Sequence, residues 1–90
     1  SIRVSPLAEI ETGAELAGPC EISGRSIVRR GAVIASHCVL RDAIIGEDCR
    51  ICRGAVIGGS FAPGEEKKIS VVGKAKTIAE NTAIKPGEIY

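Results

Sequence analysis

The stretch ISGRSIVRRGAVIASHCVL, residues 22–40, places an aliphatic residue at every sixth position. The same spacing continues outward in both directions. The full series is Val4, Ile10, Leu16, Ile22, Val28, Ile34 and Leu40, then Ile45, Ile51 and Ile57, then Val72, Ile78 and Ile84. This period fits neither a helix nor an amphipathic strand, whose periods are about 3.6 and 2 residues. It is typical of a short strand and a turn in alternation, which predicts a parallel β-helix.

A second inward position supports this fold. Four residues after most of the aliphatic residues lies a small one: Ala8, Ala14, Cys20, Ser26, Ala32, Cys38, Cys49, Ala55 and Thr82. Three repeats make one triangular coil, and coils stack at the strand-pairing distance of about 4.8 Å. The aliphatic residues then form three inward columns. These are Val4, Ile22, Leu40, Ile57 and Ile84; Ile10, Val28, Ile45 and Val72; and Leu16, Ile34, Ile51 and Ile78. The prediction is an all-β protein of about four coils.

Length, charge and composition limit the possible functions of the chain. The 90 residues predict one domain over residues 1–90, and a net charge of +1 gives no global attraction to nucleic acid or membranes. No apolar run is long enough to span a membrane and no signal-peptide layout is present, so a cytoplasmic location is expected. The repeat begins at Val4 without a recognisable cap. This predicts a domain excised from a longer chain, although a partner subunit or residues 1–3 could also cover the end.

The cysteines invite a metal or disulfide interpretation. Cys49 and Cys52 have the CxxC spacing of a zinc half-site, but Cys49 occupies an inward position and Cys52 follows the core residue Ile51, so they face opposite ways. Cys20 and Cys38 lie one coil apart in the same small column, where a disulfide is geometrically possible. Buried free thiols are the simpler prediction, and no metal or cofactor is expected.

Other polar residues suggest two possible sites. His37 is the single histidine and lies in a turn, where it is either a solvent-exposed residue or the general base of an acyltransferase. Arginines lie at or beside turns of the middle coils and could together bind a phosphate or other anionic effector: Arg29, Arg30, Arg41, Arg50 and Arg53. Glu47 and Asp48 fall in the corresponding turn of the next coil, so some of these arginines could instead pair across coils.

The residue before each core aliphatic points outward. Glu9, Glu15 and Glu21 hold these positions in the first coil, whereas later coils carry apolar residues there. Ile27, Ile44 and Val71 align on one face, and Val39, Val56 and Ala83 on another. Such rows are either a contact surface for another subunit or domain, or β-branched residues that simply suit exposed strands.

The regular spacing is interrupted once by an insertion. Val72 follows Ile57 by 15 positions, and the segment GGSFAPGEEKK (residues 58–68) is rich in glycine and charge. We expect a loop extruded from one corner over residues 58–70. It is either a tolerated insertion or a contact with a neighbouring domain.

The repeat resembles the hexapeptide motif of left-handed parallel β-helix proteins, and the left hand is implied by that resemblance. Three stretches resemble the C-terminal domain of sugar-nucleotide pyrophosphorylases, especially glucose-1-phosphate adenylyltransferase: SIVRRG (residues 26–31), LRDAIIGE (residues 40–47) and ISVVGK (residues 69–74). The resemblance implies a domain that packs against an N-terminal catalytic domain or companion subunit, mediates homo-oligomer assembly and helps to form a regulatory site.

The glycine-rich nucleotide-binding signature of such catalytic domains is absent from these 90 residues, so no catalysis is expected from this chain alone. The alternatives are a hexapeptide-repeat acyltransferase that uses His37 as base, and a non-catalytic structural scaffold.

Overall fold

The computed structural model describes residues 1–58 and 68–90, which form a left-handed parallel β-helix. Its strands are β1 (Ile2–Val4), β2 (Glu9–Ile10), β3 (Glu15–Leu16), β4 (Cys20–Ser23), β5 (Ile27–Val28), β6 (Val33–Ile34), β7 (Val39–Arg41), β8 (Ala43–Ile45), β9 (Arg50–Ile51), β10 (Val56–Ile57), β11 (Ser70–Val72), β12 (Thr77–Ile78) and β13 (Ala83–Ile84). In this part of the chain no helix is long and apolar enough to cross a membrane.

The strands form three parallel sheets, and the chain visits them in strict rotation. Sheet 1 has the order β1-β4-β7-β10-β13, sheet 2 the order β2-β5-β8-β11, and sheet 3 the order β3-β6-β9-β12. The turns therefore stack at three corners. We call them the 1–2, 2–3 and 3–1 corners, after the sheets that each one joins.

The predicted inward columns are confirmed residue by residue. In sheet 1 Ile22 pairs with Leu40, and in sheet 3 Ile34 pairs with Ile51. In sheet 2 Val28 pairs with Ile45, which pairs in turn with Val72. From the second coil onward the column residues are buried, most of them completely. The core is thus a narrow stack of aliphatic side chains, and strand pairing fixes its register.

The shortened repeat between Leu40 and Ile45 is accommodated at the 1–2 corner. Asp42 is the single residue between β7 and β8, and its φ of 48° turns the chain there. Its Oδ1 accepts a hydrogen bond of 3.0 Å from the Arg25 backbone amide. The buried Ser26 hydroxyl donates to the Ser23 carbonyl and accepts from the Ala43 amide. These two side chains thus satisfy backbone groups of Ser23, Arg25 and Ala43 at the shortened corner.

The two ends of the coil stack differ. At the N-terminal end Val4 remains 42% exposed although it belongs to an inward column. At the other end Ile78 and Ile84 are almost fully buried. There Ile89 pairs with Val71 and adds to sheet 2, a register that places Tyr90 over Val72. Tyr90 therefore extends the inward column of sheet 2 by one position.

The loop predicted over residues 58–70 lies largely outside the described residues, because residues 59–67 are not part of them. Gly58 and Ser70, on either side, are both buried and lie at the 1–2 corner of one coil, where the chain passes from β10 to β11.

Candidate functional site

The 3–1 corner gathers the polar side chains that best resemble a binding site. His37, Arg53 and Asn81 come from the turns that follow β6, β9 and β12, so they lie in three successive coils. His37 and Asn81 have φ values of 64° and 59°, and Gly54 one of 78°. This left-handed conformation ends each turn sharply and presents the side chain on the outside of the corner.

Two grooves flank His37. One has a volume of about 400 Å³ and runs along sheet 1, where it is lined mainly by residues of the first two coils: Ser1, Arg3, Pro19, Cys20, Glu21, His37, Cys38 and Val39. The other, of about 270 Å³, lies between the later turns and is lined by His37, Arg53, Gly54, Glu80 and Asn81. His37 is exposed, as the sequence predicts, and it is the residue that both grooves share.

A contact between Arg53 and His37 defines the chemistry of the imidazole. The Arg53 Nε–H donates to His37 Nδ1 at 3.3 Å. Arginine stays protonated and cannot accept a hydrogen bond, so Nδ1 carries no proton and the neutral ring holds its proton at Nε2. A general base needs a free lone pair directed at its substrate. In this arrangement His37 instead presents an N–H donor, which favours a binding role over proton abstraction.

The cysteines occupy the positions expected for free thiols. Cys20, Cys38 and Cys49 are buried, Cys52 is half-buried, and all four are free. The Cys49 thiol donates to the Gly73 carbonyl at 2.8 Å and the Cys38 thiol to the Cys52 carbonyl at 3.1 Å. Burial raises the pKa of the Cys20 thiol above its ordinary value of 9.0, and the neighbouring Cys38 thiol adds to the increase. Within residues 1–58 and 68–90, no three potential metal ligands come together.

The thiols should therefore differ in reactivity. We expect Cys20, Cys38 and Cys49 of the folded chain to react with a disulfide reagent at least about tenfold more slowly than Cys52, because burial limits access to all three thiols. For Cys20 and Cys38 a raised pKa also lowers the thiolate fraction. Mass spectrometry of timed, quenched samples measures each site, and a sample in denaturant provides the control. Rapid native labelling of Cys20 and Cys38 would show that the inward register is wrong.

The five candidate arginines are distributed over different parts of the surface. Arg29 and Arg30 lie at the 2–3 corner, Arg41 at the 1–2 corner, Arg50 on the outer face of sheet 3 and Arg53 at the 3–1 corner. As the sequence suggested, some pair across coils: Arg30 Nε lies 2.9 Å from Glu47 Oε2, and Arg29 Nε lies 3.7 Å from Glu11 Oε2. A common phosphate site for all five stays a prediction, and the geometry favours separate roles.

The outward apolar rows are aligned as predicted. Ile27 pairs with Ile44 and Ile44 with Val71 on sheet 2, while Val39 pairs with Val56 and Val56 with Ala83 on sheet 1. All but the exposed Ala83 are half-buried in the chain by itself. Sheet 3 differs, because its outward row is Glu15, Val33, Arg50 and Thr77. Two adjacent faces thus carry apolar rows and the third is mixed.

These features define the class of protein: a left-handed parallel β-helix built from hexapeptide repeats. Comparison with curated proteins adds relatives within that class. The chain is 35% identical over 89 residues, 99% of its length, to the bifunctional protein GlmU of Nitratidesulfovibrio vulgaris strain Miyazaki F. It is 38% identical over 69 residues to GlmU of Oleidesulfovibrio alaskensis and 46% identical over 48 residues to GlmU of Lawsonia intracellularis. These alignments cover 64% and 53% of the chain, respectively.

The chain spans only a small part of these relatives: 17%, 15% and 10% of their lengths. No family model matches the sequence, and no solved structure gave a significant match.

Proposed function

We propose that the chain is the β-helix part of a bifunctional sugar-phosphate nucleotidyltransferase, in which it serves assembly and regulation. The observation that supports this most strongly is the 35% identity to a bifunctional GlmU protein over 99% of the chain. Because the chain corresponds to 17% of that relative, the nucleotidyltransferase activity would belong to residues outside these 90. The finer proposal, that the parent enzyme makes ADP-glucose, rests on the three short stretches quoted above.

The gene sequence upstream of Ser1 provides the most direct test. A nucleotidyltransferase domain with a glycine-rich nucleotide-binding loop, encoded in the same reading frame, would support the proposal. A different kind of domain in that position would overturn it and favour the structural scaffold.

A second candidate function is acyl transfer with His37 as the base. Its position between two grooves favours this function, whereas the donor contact from Arg53 opposes it. We expect the 90-residue chain to catalyse neither pyrophosphate release from a sugar phosphate and a nucleoside triphosphate nor acetyl transfer from acetyl-CoA. Acetyl-transfer turnover that disappears in His37→Ala would establish the second function in place of the first.

The assembly role rests on the two apolar rows. We expect the double variant Ile27→Asp with Ile44→Asp to dissociate an assembly while the β-helix stays folded. A carboxylate buried at an interface without a partner costs several kcal/mol, whereas one on a solvated strand costs little. Light scattering measures the mass and circular dichroism the β content.

The matched control is Val33→Asp with Thr77→Asp, which places two carboxylates on the outer face of sheet 3. Equal dissociation by both pairs would count against a specific contact through sheet 2. Loss of β signal in the sheet 2 variant would instead show that Ile27 and Ile44 point inward.

A further inference from the structure

Cys20 and Cys38 are neighbours across two consecutive coils. Cys20 begins β4, and Cys38 directly precedes β7, the strand with which β4 pairs in parallel. Just after Cys20, the Glu21 amide donates to the Cys38 carbonyl at 3.0 Å. Just before it, the Pro19 carbonyl accepts from the His37 amide. Paired residues of neighbouring strands lie about 4.8 Å apart, which is within the Cα separation of about 4.4–6.8 Å that a disulfide spans.

The two thiols can be reached from one side of the molecule. Both cysteines line the groove of about 400 Å³ that runs along sheet 1. Burial raises the pKa of the Cys20 thiol, and the Cys38 thiol raises it further, as expected for neighbouring sulfur atoms. Cys20 is 6% exposed and Cys38 is 1% exposed. A small reagent that enters the groove therefore meets Cys20 first.

Cys52 is the alternative partner for Cys38. The Cys38 thiol donates to the Cys52 backbone carbonyl at 3.1 Å. In the strand ladder, however, Ile34 pairs with Ile51, so Cys52 lies opposite Ala35. The register therefore favours Cys20 over Cys52.

We propose that Cys20 and Cys38 form a reversible disulfide, which cross-links β4 to β7 when the chain meets a low-molecular-weight disulfide such as glutathione disulfide. The Cys20 thiolate attacks one sulfur of glutathione disulfide and releases the first glutathione as a thiolate. The Cys38 thiolate then attacks the Cys20 sulfur of the mixed disulfide and releases the second glutathione. The two cysteine thiols lose two protons and two electrons, and glutathione disulfide is reduced to two glutathione thiols.

The cross-link closes one coil of the β-helix, residues 20–38, into a covalent ring. This coil lies next to the N-terminal end of the stack, where Val4 is 42% exposed and Ile10 and Leu16 are half-buried. A ring of this size restricts the unfolded chain, and the restriction is expected to lower the unfolding equilibrium constant about a hundredfold. Oxidation thus stabilises the part of the stack whose core is least covered. The cross-link uses only residues of this chain, so it can fail or succeed independently of the proposed function.

Glutathione disulfide, added to the folded and reduced chain without denaturant, provides the test. We expect peptide mapping by mass spectrometry under non-reducing conditions to find a disulfide between Cys20 and Cys38 that dithiothreitol removes. In Cys38→Ala we expect glutathione to remain attached to Cys20, because the thiol that would displace it is missing. Alanine fits this column, since the buried Ala55 holds its next position. Cys20→Ala provides a second variant, in which we expect Cys38 to form no disulfide with another cysteine.

Cys52→Ala is the matched control, and we expect it to form the disulfide between Cys20 and Cys38 in the same yield as the wild-type chain. A disulfide between Cys38 and Cys52, or one that forms only in denaturant, would overturn the proposal. Urea denaturation gives a second readout, because the oxidised wild-type chain should unfold with an equilibrium constant about a hundredfold lower than the reduced chain. The oxidant should cause no such change in Cys38→Ala. A disulfide that forms without this stabilisation would overturn the role of the cross-link. Circular dichroism verifies that all variants are folded.

Discussion

Replacing Ile34 by Ala is expected to lower the free energy of unfolding by about 2–5 kcal/mol, the range measured for truncating large aliphatic side chains in protein cores. Ile34 is completely buried, and it pairs with Leu16 on one side and Ile51 on the other. The strands on either side are held by parallel pairing, which limits how far they can move into the cavity. Small domains have about 5–15 kcal/mol of stability in total, so this change removes a large part of it. Urea denaturation followed by circular dichroism gives the measurement.

Val33 provides the control because it precedes Ile34 in the same strand and points outward. Val33→Ala should cost less than about 1 kcal/mol, as is usual for partly exposed surface positions. If Ile34→Ala does not fold, Ile34→Val should still show a loss of about 0.5–1.5 kcal/mol. A cost for Ile34→Ala below that of Val33→Ala would contradict the inward register.

The core could be predicted from the sequence because one physical constraint repeats along the chain. Each strand of a coil has room for one large inward side chain, and parallel pairing stacks like on like, so a spacing of six residues specifies both the inward set and its partners. That is why Val28, Ile45 and Val72, which are far apart in sequence, could be assigned to one column from their spacing alone, and the strand pairing confirms the assignment. The same register also predicted the two outward apolar rows.

The polar contacts at the corners were harder to predict, because proximity in sequence is a poor guide in this fold. The chain passes from one corner to the next in about six residues. Arg50 therefore lies on the outer face of sheet 3 and Arg53 at the 3–1 corner, although they are only three positions apart. His37 and Arg53 are 16 positions apart and yet share a hydrogen bond. Residues separated by about one coil share a corner, and that rule could have brought them together. The spacing of residues does not, however, predict the side-chain geometry that selects the tautomer of His37.

The pairing of the last residues with sheet 2 also lay beyond the sequence pattern. The series of aliphatic residues ends at Ile84, and an aromatic residue at the next inward position does not match it. Backbone bonds between Val71 and the final residues, such as the Tyr90 amide to the Val71 carbonyl at 2.8 Å, reveal that the stack continues into a fifth coil. Strand pairing depends on contacts between distant parts of the chain, so it forms here although the sequence carries no further repeat.

Replacing Gly46 by Ala is also expected to have a large effect. It should lower the free energy of unfolding by about 3 kcal/mol, which is at the upper end of the range for overpacked interiors. A β-carbon at this position would lie 2.8 Å from the carbonyl carbon of Gly73 and 2.9 Å from the Val72 oxygen. The Gly46 amide also donates to that oxygen at 2.8 Å. Relief would require separating β8 from β11, which breaks strand pairing instead of rotating a side chain.

Gly73→Ala is the matched control in the next coil, because its added carbon would meet the Tyr90 oxygen at an ordinary 3.4 Å. We expect it to change the free energy of unfolding by less than about 1 kcal/mol, as for a surface substitution without strain. Urea denaturation of the two variants side by side measures the difference. If they were equally stable, the close approach of the coils at Gly46 would be wrong, since neither glycine has a positive φ that would penalise alanine for another reason.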